Sequence, residues 1–392
     1  MNQQHAYKQL FLGMLCLLIV MAISRFAYTP ILPFMQQDTG MTNQNAGLLA
    51  TLNYLGYLVG AIIPMFFIFK SKVVDLKIYL VFNIISIIGM GVSNDFTIWS
   101  ILRIIAGITS GTIFVLASNV VLEALRQANK QSISGILYSA VGIGICISSV
   151  FIFFFTHEQT WKETWIILGG AALVASLLVI FGMKDNPSIK LKRSTTTTEG
   201  ATQQLNRPFI ILFAIAYFFE GAGYIVTGTF LVAIIKTIPS FADYAALSWM
   251  FVGLGAIPST LLWSLLAEKL GYKTALYSAF ILQIISVGLP IITHNVLSLI
   301  IASMLFGATF LGLTTLFMSK SQALSFQTNS KINFVSLLTV IYSVGQMLAP
   351  IISGMLIGDS GNYNLALSFA IVLLTLGLIF IISSYRFDAE KV

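Results

Sequence analysis

Charge is what this chain has least of. Only 9% of its 392 residues are Asp, Glu, Lys or Arg, while 57% are hydrophobic; an ordinary soluble domain is about a quarter charged. That balance excludes a water-soluble globule and indicates a polytopic membrane protein. Cysteine is nearly absent: Cys16 and Cys146 both lie in apolar runs, which excludes a disulfide framework. No Cys or His recurs at ligand spacing, and His5, His157 and His294 fall outside the span interiors. Neither a metal site nor a buried histidine relay is expected. The sequence has no Gly-x-x-x-x-Gly-Lys-Ser/Thr loop and no compact group of nucleophile, base and metal ligands. ATP hydrolysis, enzyme chemistry and a bound cofactor are therefore not expected.

Long hydrophobic runs are what the chain does have. Apolar stretches lie near 9–35, 44–69, 77–93, 96–119, 132–155 and 164–183, then near 208–235, 244–267, 274–292, 296–318, 332–357 and 363–384. Each matches the roughly 20 residues a helix needs to cross a bilayer. Barrel strands would alternate polar and apolar residues instead. The fold class is all-α, with twelve transmembrane helices. The first run follows the polar start Met1 to Gln9 and lacks a small-residue cleavage site, so it is expected to remain as the first helix.

Basic residues sort to one side. With the N-terminus in the cytoplasm, all of the 21 Lys and Arg fall inside except Lys162 and Lys236 outside and Arg25 and Arg103 within spans. This asymmetry places both termini in the cytoplasm. The net charge of +7 is then the inner face of a membrane protein, in contact with the lipid bilayer, and calls for no nucleic-acid partner. Trp99, Trp161 and Trp165 fall at expected outer ends and Trp263 near an inner end, where tryptophan anchors the interface.

The spans divide into residues 1–183, a polar segment 184–207 containing the Ser194 to Thr198 run, and residues 208–392. The middle segment reads as a flexible cytoplasmic linker between two six-helix bundles. The halves echo one another. Arg103-x-x-x-Gly107 returns as Ser303-x-x-x-Gly307, and Tyr138-Ser-Ala-Val-Gly142 as Tyr342-Ser-Val-Gly345. Six-plus-six repetition is a mark of secondary transporters, with a site between the halves.

On these residues the chain resembles the major facilitator superfamily along nearly its whole length. Ser264 to Lys273, with Glu268, Lys269, Gly271 and Lys273, is similar to that family's cytoplasmic loop motif between helices 8 and 9; Glu268 stands for the usual Asp, and Tyr272 occupies a usually basic position. The loop between helices 2 and 3 keeps Lys70, Lys72, Asp75 and Lys77 but lacks the glycine. Arg103 and Gly107 resemble the helix 4 motif. Arg25-Phe-Ala-Tyr-Thr-Pro30, Phe114-Val-Leu-Ala-Ser118 and Glu220-Gly-Ala-Gly-Tyr224 resemble the YbfB/YjiJ branch of bacterial transporters. The resemblance implies a monomeric transporter of the bacterial cytoplasmic membrane, moving a small solute by alternating access, with helices 1 and 7 lining a central cavity.

Three ionisable residues, Arg25, Arg103 and Glu220, sit deep in apolar runs. Together they cost about 8 to 10 kcal/mol on insertion scales, which pairing, water or function must offset. On a regular helix Arg25, Tyr28 and Thr29 share a face, as do Tyr217, Glu220 and Tyr224; the two stripes are expected to meet across the cavity. Glu220 reads as a proton-binding carboxylate, because burial favours the neutral acid and a nearby guanidinium the ionised one. A permanent ion pair is the alternative. Arg25 reads as counter-ion to Glu220 or as ligand for a carboxylate or phosphate on the solute. For Arg103, structural and coupling roles stay open. Asn53, Tyr54 and Tyr57, with Ser343 and Gln346, are available to hydrogen-bond a solute, although such residues more often bond between helices. Pro30, Pro33 and Pro350 are expected to bend their helices. The leading function is a proton-coupled secondary transporter; the alternatives are an uncoupled facilitator, a drug-efflux antiporter and, remotely, a membrane sensor or enzyme.

Overall fold

The computed structural model describes residues 3–130, 133–158, 160–186, 206–327 and 334–388. Most of the expected linker, with the Ser194 to Thr198 run, lies outside the described residues. Eleven described helical segments are long and apolar enough to cross a membrane. We name them α1 (Gln3–Thr39), α2 (Asn43–Phe66), α3 (Lys72–Val92), α4 (Phe96–Gln127), α5 (Gly135–Glu158), α6 (Trp161–Gly182) and α7 (Arg207–Lys236). The next segment, Ala245–Ile292, is 48 residues long and breaks at Gly271. At 1.5 Å per residue it would measure about 72 Å, over twice a hydrocarbon core of roughly 30 Å. We therefore divide it into α8 (245–270) and α9 (272–292), which gives the expected twelve crossings. The remainder are α10 (Val296–Gln327), α11 (Phe334–Ile357) and α12 (Tyr363–Ser384).

Helix starts follow local chemistry. Thr42, Ser71, Asp95 and Thr160 each accept a backbone N–H of the first turn, and Thr160 with Glu163 completes a capping box, satisfying donors the helix cannot. α4 and α10 run past their expected ends at 119 and 318 to 32 residues each. Helix of about 48 Å outreaches the hydrocarbon, so its polar last turns stand in the interface.

The tryptophans correct the expectation of lipid-interface anchors. Trp99, Trp161 and Trp165 are 2%, 3% and 1% exposed, so they pack inward instead of facing lipid. Trp99 and Trp161 meet edge to face at 5.5 Å. Their indole N–H groups go to the Ser93 carbonyl (3.0 Å) and Asp38 (2.8 Å), a buried use of the polar handle. Trp263 is likewise buried and donates to the Ala308 carbonyl at 2.7 Å.

Glycine sets the approach of helices within each bundle. A methyl group on Gly107 would lie 2.1 Å from the Asn53 carbonyl oxygen of α2, and one on Gly307 1.9 Å from the Val252 oxygen of α8. The Arg103/Ser303 repeat is thus a packing repeat. Between the bundles, α5 meets α8 and α2 meets α11 at similar range. A methyl on Gly253 would fall 2.5 Å from the Cys146 nitrogen, and one on Gly47 2.2 Å from the Pro350 oxygen. Hydrogen bonds tie the same seam. Thr51 donates to the Met347 carbonyl (2.8 Å), Asn43 to that of Gly358 (3.0 Å) and Ser149 to that of Ala246 (3.3 Å). Asn43, Thr51, Ser149 and their partners belong to the helix halves remote from the two chain termini, so the seam is drawn closed on the face opposite the termini.

Candidate functional site

Arg25 sits in a stretch of α1, Leu18–Phe26, that is π-helical. Pro30 has no N–H to return to the preceding turn, so the regular ladder is already incomplete where this stretch ends; π-type bonding is rare and concentrates at functional sites. Arg25 is 3% exposed. Its guanidinium carbon lies 4.2 Å from the Tyr57 ring centre, 4.6 Å from that of Tyr54 and 5.3 Å from that of Phe26. Nη2 donates to Gln346 Oε1 on α11 at 3.1 Å, and the same amide donates through Nε2 to the Tyr224 hydroxyl on α7. One polar chain therefore runs from α1 across the seam through α11 to α7. Among the described residues no carboxylate comes within ion-pair range of Arg25; the ion pairs found are Lys72–Glu123 and Lys320–Asp388.

Glu220 lies one turn from Tyr224 along α7 and is fully buried. The ion pair with Arg25, given as the alternative reading, is not formed: the Gln346 amide takes the place beside the guanidinium. Neither carboxyl oxygen of Glu220 reaches a hydrogen-bond partner. The polar side chain alongside it is Gln283 of α9, whose own amide atoms are also buried without a bond of regular geometry. Around them runs a ladder of rings. Tyr217 stacks on Phe317 and on Tyr342, each at 4.4 Å, Tyr342 on Tyr224 at 5.9 Å, and Tyr224 on Phe310 at 5.6 Å. α7 and α11 can close on this ladder because a methyl on Gly345 would stand only 2.4 Å from the Phe218 oxygen.

The other expected residues divide between the seam and the first bundle. Thr29 donates to the Gly228 carbonyl of α7 and so joins the halves. Tyr28, expected on the stripe with Arg25, turns instead into the first bundle: its hydroxyl donates to the Ala46 carbonyl (2.9 Å) and its ring lies 4.5 Å from the Arg103 guanidinium carbon. The π-helical turn accounts for the difference, since i→i+5 bonding upsets the spacing that aligns residues on an α-helix. Asn53 is committed between helices, with Nδ2 on the Arg103 carbonyl at 3.0 Å. Arg103 itself donates to the carbonyls of Leu49 (3.3 Å) and Ser24 (3.2 Å), knitting α4 to α2 and α1. Glu268, Lys269, Gly271 and Lys273 are exposed at the α8–α9 turn, where Gly271 takes φ 83°, ψ 153°, a conformation suited to glycine. Asp75, in the first turn of α3, accepts the backbone N–H groups of Phe69 (2.7 Å) and Lys70 (3.2 Å) in the α2–α3 connection.

Gln283 and Tyr342 were not singled out as site residues from the sequence. A signal for Gln283 existed: it precedes Ser303 by the same interval that separates Asn83 from Arg103. An amide at the same place in both repeats is a pattern.

The family described as "Uncharacterised MFS-type transporter YbfB" matches residues 17–382. The chain belongs to this family. It is the branch that the Arg25, Phe114 and Glu220 segments resemble. A curated relative, the "Probable sulfoacetate transporter SauU" of Cupriavidus necator, is 25% identical over 202 residues, which take in 51% of this chain and 46% of that one. The match thus spans about half of the relative's length. Among solved structures, the nucleoside transporter NupG superposes with a TM-score of 0.76 at 11% identity, covering 96% of this chain and 99% of NupG. A bacterial homologue of the human lysosomal transporter Spinster, in its inward-facing occupied form, gives 0.75 at 16% identity over 100% and 98%. These likenesses establish the major facilitator fold of this multi-pass membrane protein.

Proposed function

We propose that the protein is a proton-coupled secondary transporter of a small organic anion, working by alternating access in the bacterial cytoplasmic membrane. The observation that carries this reading is Arg25: a buried cation at the seam, free of any described carboxylate and held by Gln346 and two tyrosine rings. A guanidinium so placed offers a planar fork to a carboxylate or sulfonate, and the name of the curated relative points to an anion of that kind. Tyr57, Tyr224 and Gln346 surround the proposed anion position. Glu220 is assigned the coupling proton, because a carboxyl with both oxygens buried and unbonded is best accommodated in its neutral form. Residues 1–183 and 208–392 are the rocking bodies of a monomer, joined by 184–207, with both termini in the cytoplasm as the basic residues indicate.

Proteoliposomes test this directly. Radiolabelled sulfoacetate should accumulate when a pH gradient is imposed, acetate should compete, and zwitterionic taurine should compete far less. Equal competition by taurine would remove the anion from the reading. Accumulation indifferent to the gradient would remove the proton.

A further inference from the structure

The two bundles treat the same corner differently. In the first, Asn83 of α3 points its amide at α1 and α4, where Nδ2 reaches the Ser24 (3.0 Å), Thr109 (2.8 Å) and Ser110 (3.2 Å) hydroxyls. The N–H side of that amide is saturated by neutral acceptors, while its Oδ1 is buried without a partner. In the second, the matching amide, Gln283 of α9, stands at the level of a carboxyl instead, Glu220 of α7: Phe280, one turn before Gln283, and Tyr217, one turn before Glu220, both pack on Phe317 (6.1 and 4.4 Å), and both polar side chains are fully buried with no hydrogen bond of regular geometry to any other group. We infer that Gln283 is the partner of the Glu220 proton: a closed acid–amide site between α7 and α9, inside one bundle and apart from the seam.

An amide is suited to this task because it serves both states. Its N–H donates to an ionised carboxylate, and its carbonyl accepts the O–H of the neutral acid. No charged partner has to arrive or leave. The remaining groups around Glu220 are Tyr217 and Tyr224 on its own helix and Tyr342 on α11. From α10 come Phe310 and Phe317 in the ring ladder and Thr314, which contacts Tyr342; from α12, Leu374 and Ala370 pack against Gly223. Toward Arg25, the Tyr224 hydroxyl meets the Gln346 amide that holds the guanidinium, and Tyr342 stacks on Tyr224. Loading the acid is thereby felt at the anion position through α7, Tyr224 and that polar chain.

The inference rests on Glu220 being the coupling group, and its test uses no solute. Infrared difference spectra of the purified full-length protein, taken across a pH titration, should show a buried carboxyl C=O band that disappears in Glu220→Gln. Gln283→Met, close in size but unable to hydrogen-bond strongly, should raise the band's frequency. It should also move its midpoint to higher pH by about one pH unit, roughly tenfold in proton activity, because the ionised state loses the stronger bond. In the unmodified protein, isotope-labelled glutamine should give an amide band that changes with the same midpoint, so the test survives a Met variant that fails to fold. A band and midpoint indifferent to Gln283→Met, or a labelled amide silent through the titration, overturns the inference. Gradient-independent uptake together with an intact acid–amide band would instead sink the coupling reading alone.

Discussion

Replacing Gly253 by alanine adds one methyl group to the seam between α5 and α8. That carbon would stand 2.5 Å from the Cys146 nitrogen and 2.8 Å from its Cα. Both contacts are to backbone, which cannot rotate away as a side chain can. Restoring van der Waals separation of about 3.5 Å requires the helices to part by roughly 1 Å. Overpacking of this kind costs about 1 to 3 kcal/mol, charged only to the arrangement closed on the face opposite the termini; in a two-state equilibrium that is roughly a 5- to 150-fold shift. Ser149 supplies the reporter, since its side chain is fully buried and bonds across the same seam to Ala246. In a Cys146→Ala background, a thiol at Ser149→Cys should react with a membrane-impermeant maleimide faster by that factor once Gly253→Ala is added. Gly170→Ala, where a methyl meets nothing within 4 Å, should leave the rate alone. An unchanged rate in a well-folded Gly253→Ala protein would refute the reasoning, because the seam would then yield locally instead of separating.

Glu220→Gln keeps the shape of the acid and removes its ionisation, so pH-driven sulfoacetate accumulation should vanish while counterflow exchange persists; accumulation at the parental level would exclude Glu220 as the coupling group. Arg25→Lys retains the charge but loses the planar fork and its stacking on Tyr54 and Tyr57, and should reduce sulfoacetate uptake at least roughly tenfold. The same loss for a neutral competitor would assign Arg25 a structural part. Gly307→Ala forces a methyl to within 1.9 Å of the Val252 oxygen and should destabilise the second bundle by about 1 to 3 kcal/mol, read as a lower thermal-unfolding midpoint in detergent. A midpoint equal to that of Gly170→Ala would contradict the close approach of α8 and α10.

The span pattern was legible because bilayer thickness translates into run length, and eleven apolar helical segments lie where the apolar runs do. Gly271, placed in a family loop motif by resemblance, proved to be the one break that turns the longest segment back. Arg25, Arg103 and Glu220 could be picked out because charge is otherwise missing from the runs. Their partners could not. The π-helical turn rotates Tyr28 away from Arg25, and a side chain such as Asn53 can face lipid, solute or a neighbouring carbonyl with the same letters around it. Charge and facing helical stripes made Arg25 a possible counter-ion for Glu220, whereas the structure surrounds each with neutral groups, an amide and tyrosine rings, that no charge count would select. The tryptophans misled for a related reason: position along a helix tells depth, and rotation about its axis decides whether the indole meets lipid or protein.

The one-residue turn at Gly271 has a mechanical meaning. α8 carries the glycine that touches α5, and α9 carries Gln283. Only two peptide links separate the end of one helix from the start of the other, about 7 Å at full stretch. Glycine lets the pair change their mutual angle, but there is no slack for one to slide while the other stays put. Any axial displacement of α8 must therefore be delivered to α9, as a push rod passes travel through a swivel. A motion that begins at the contact between bundles is thus passed on toward the amide beside the buried acid.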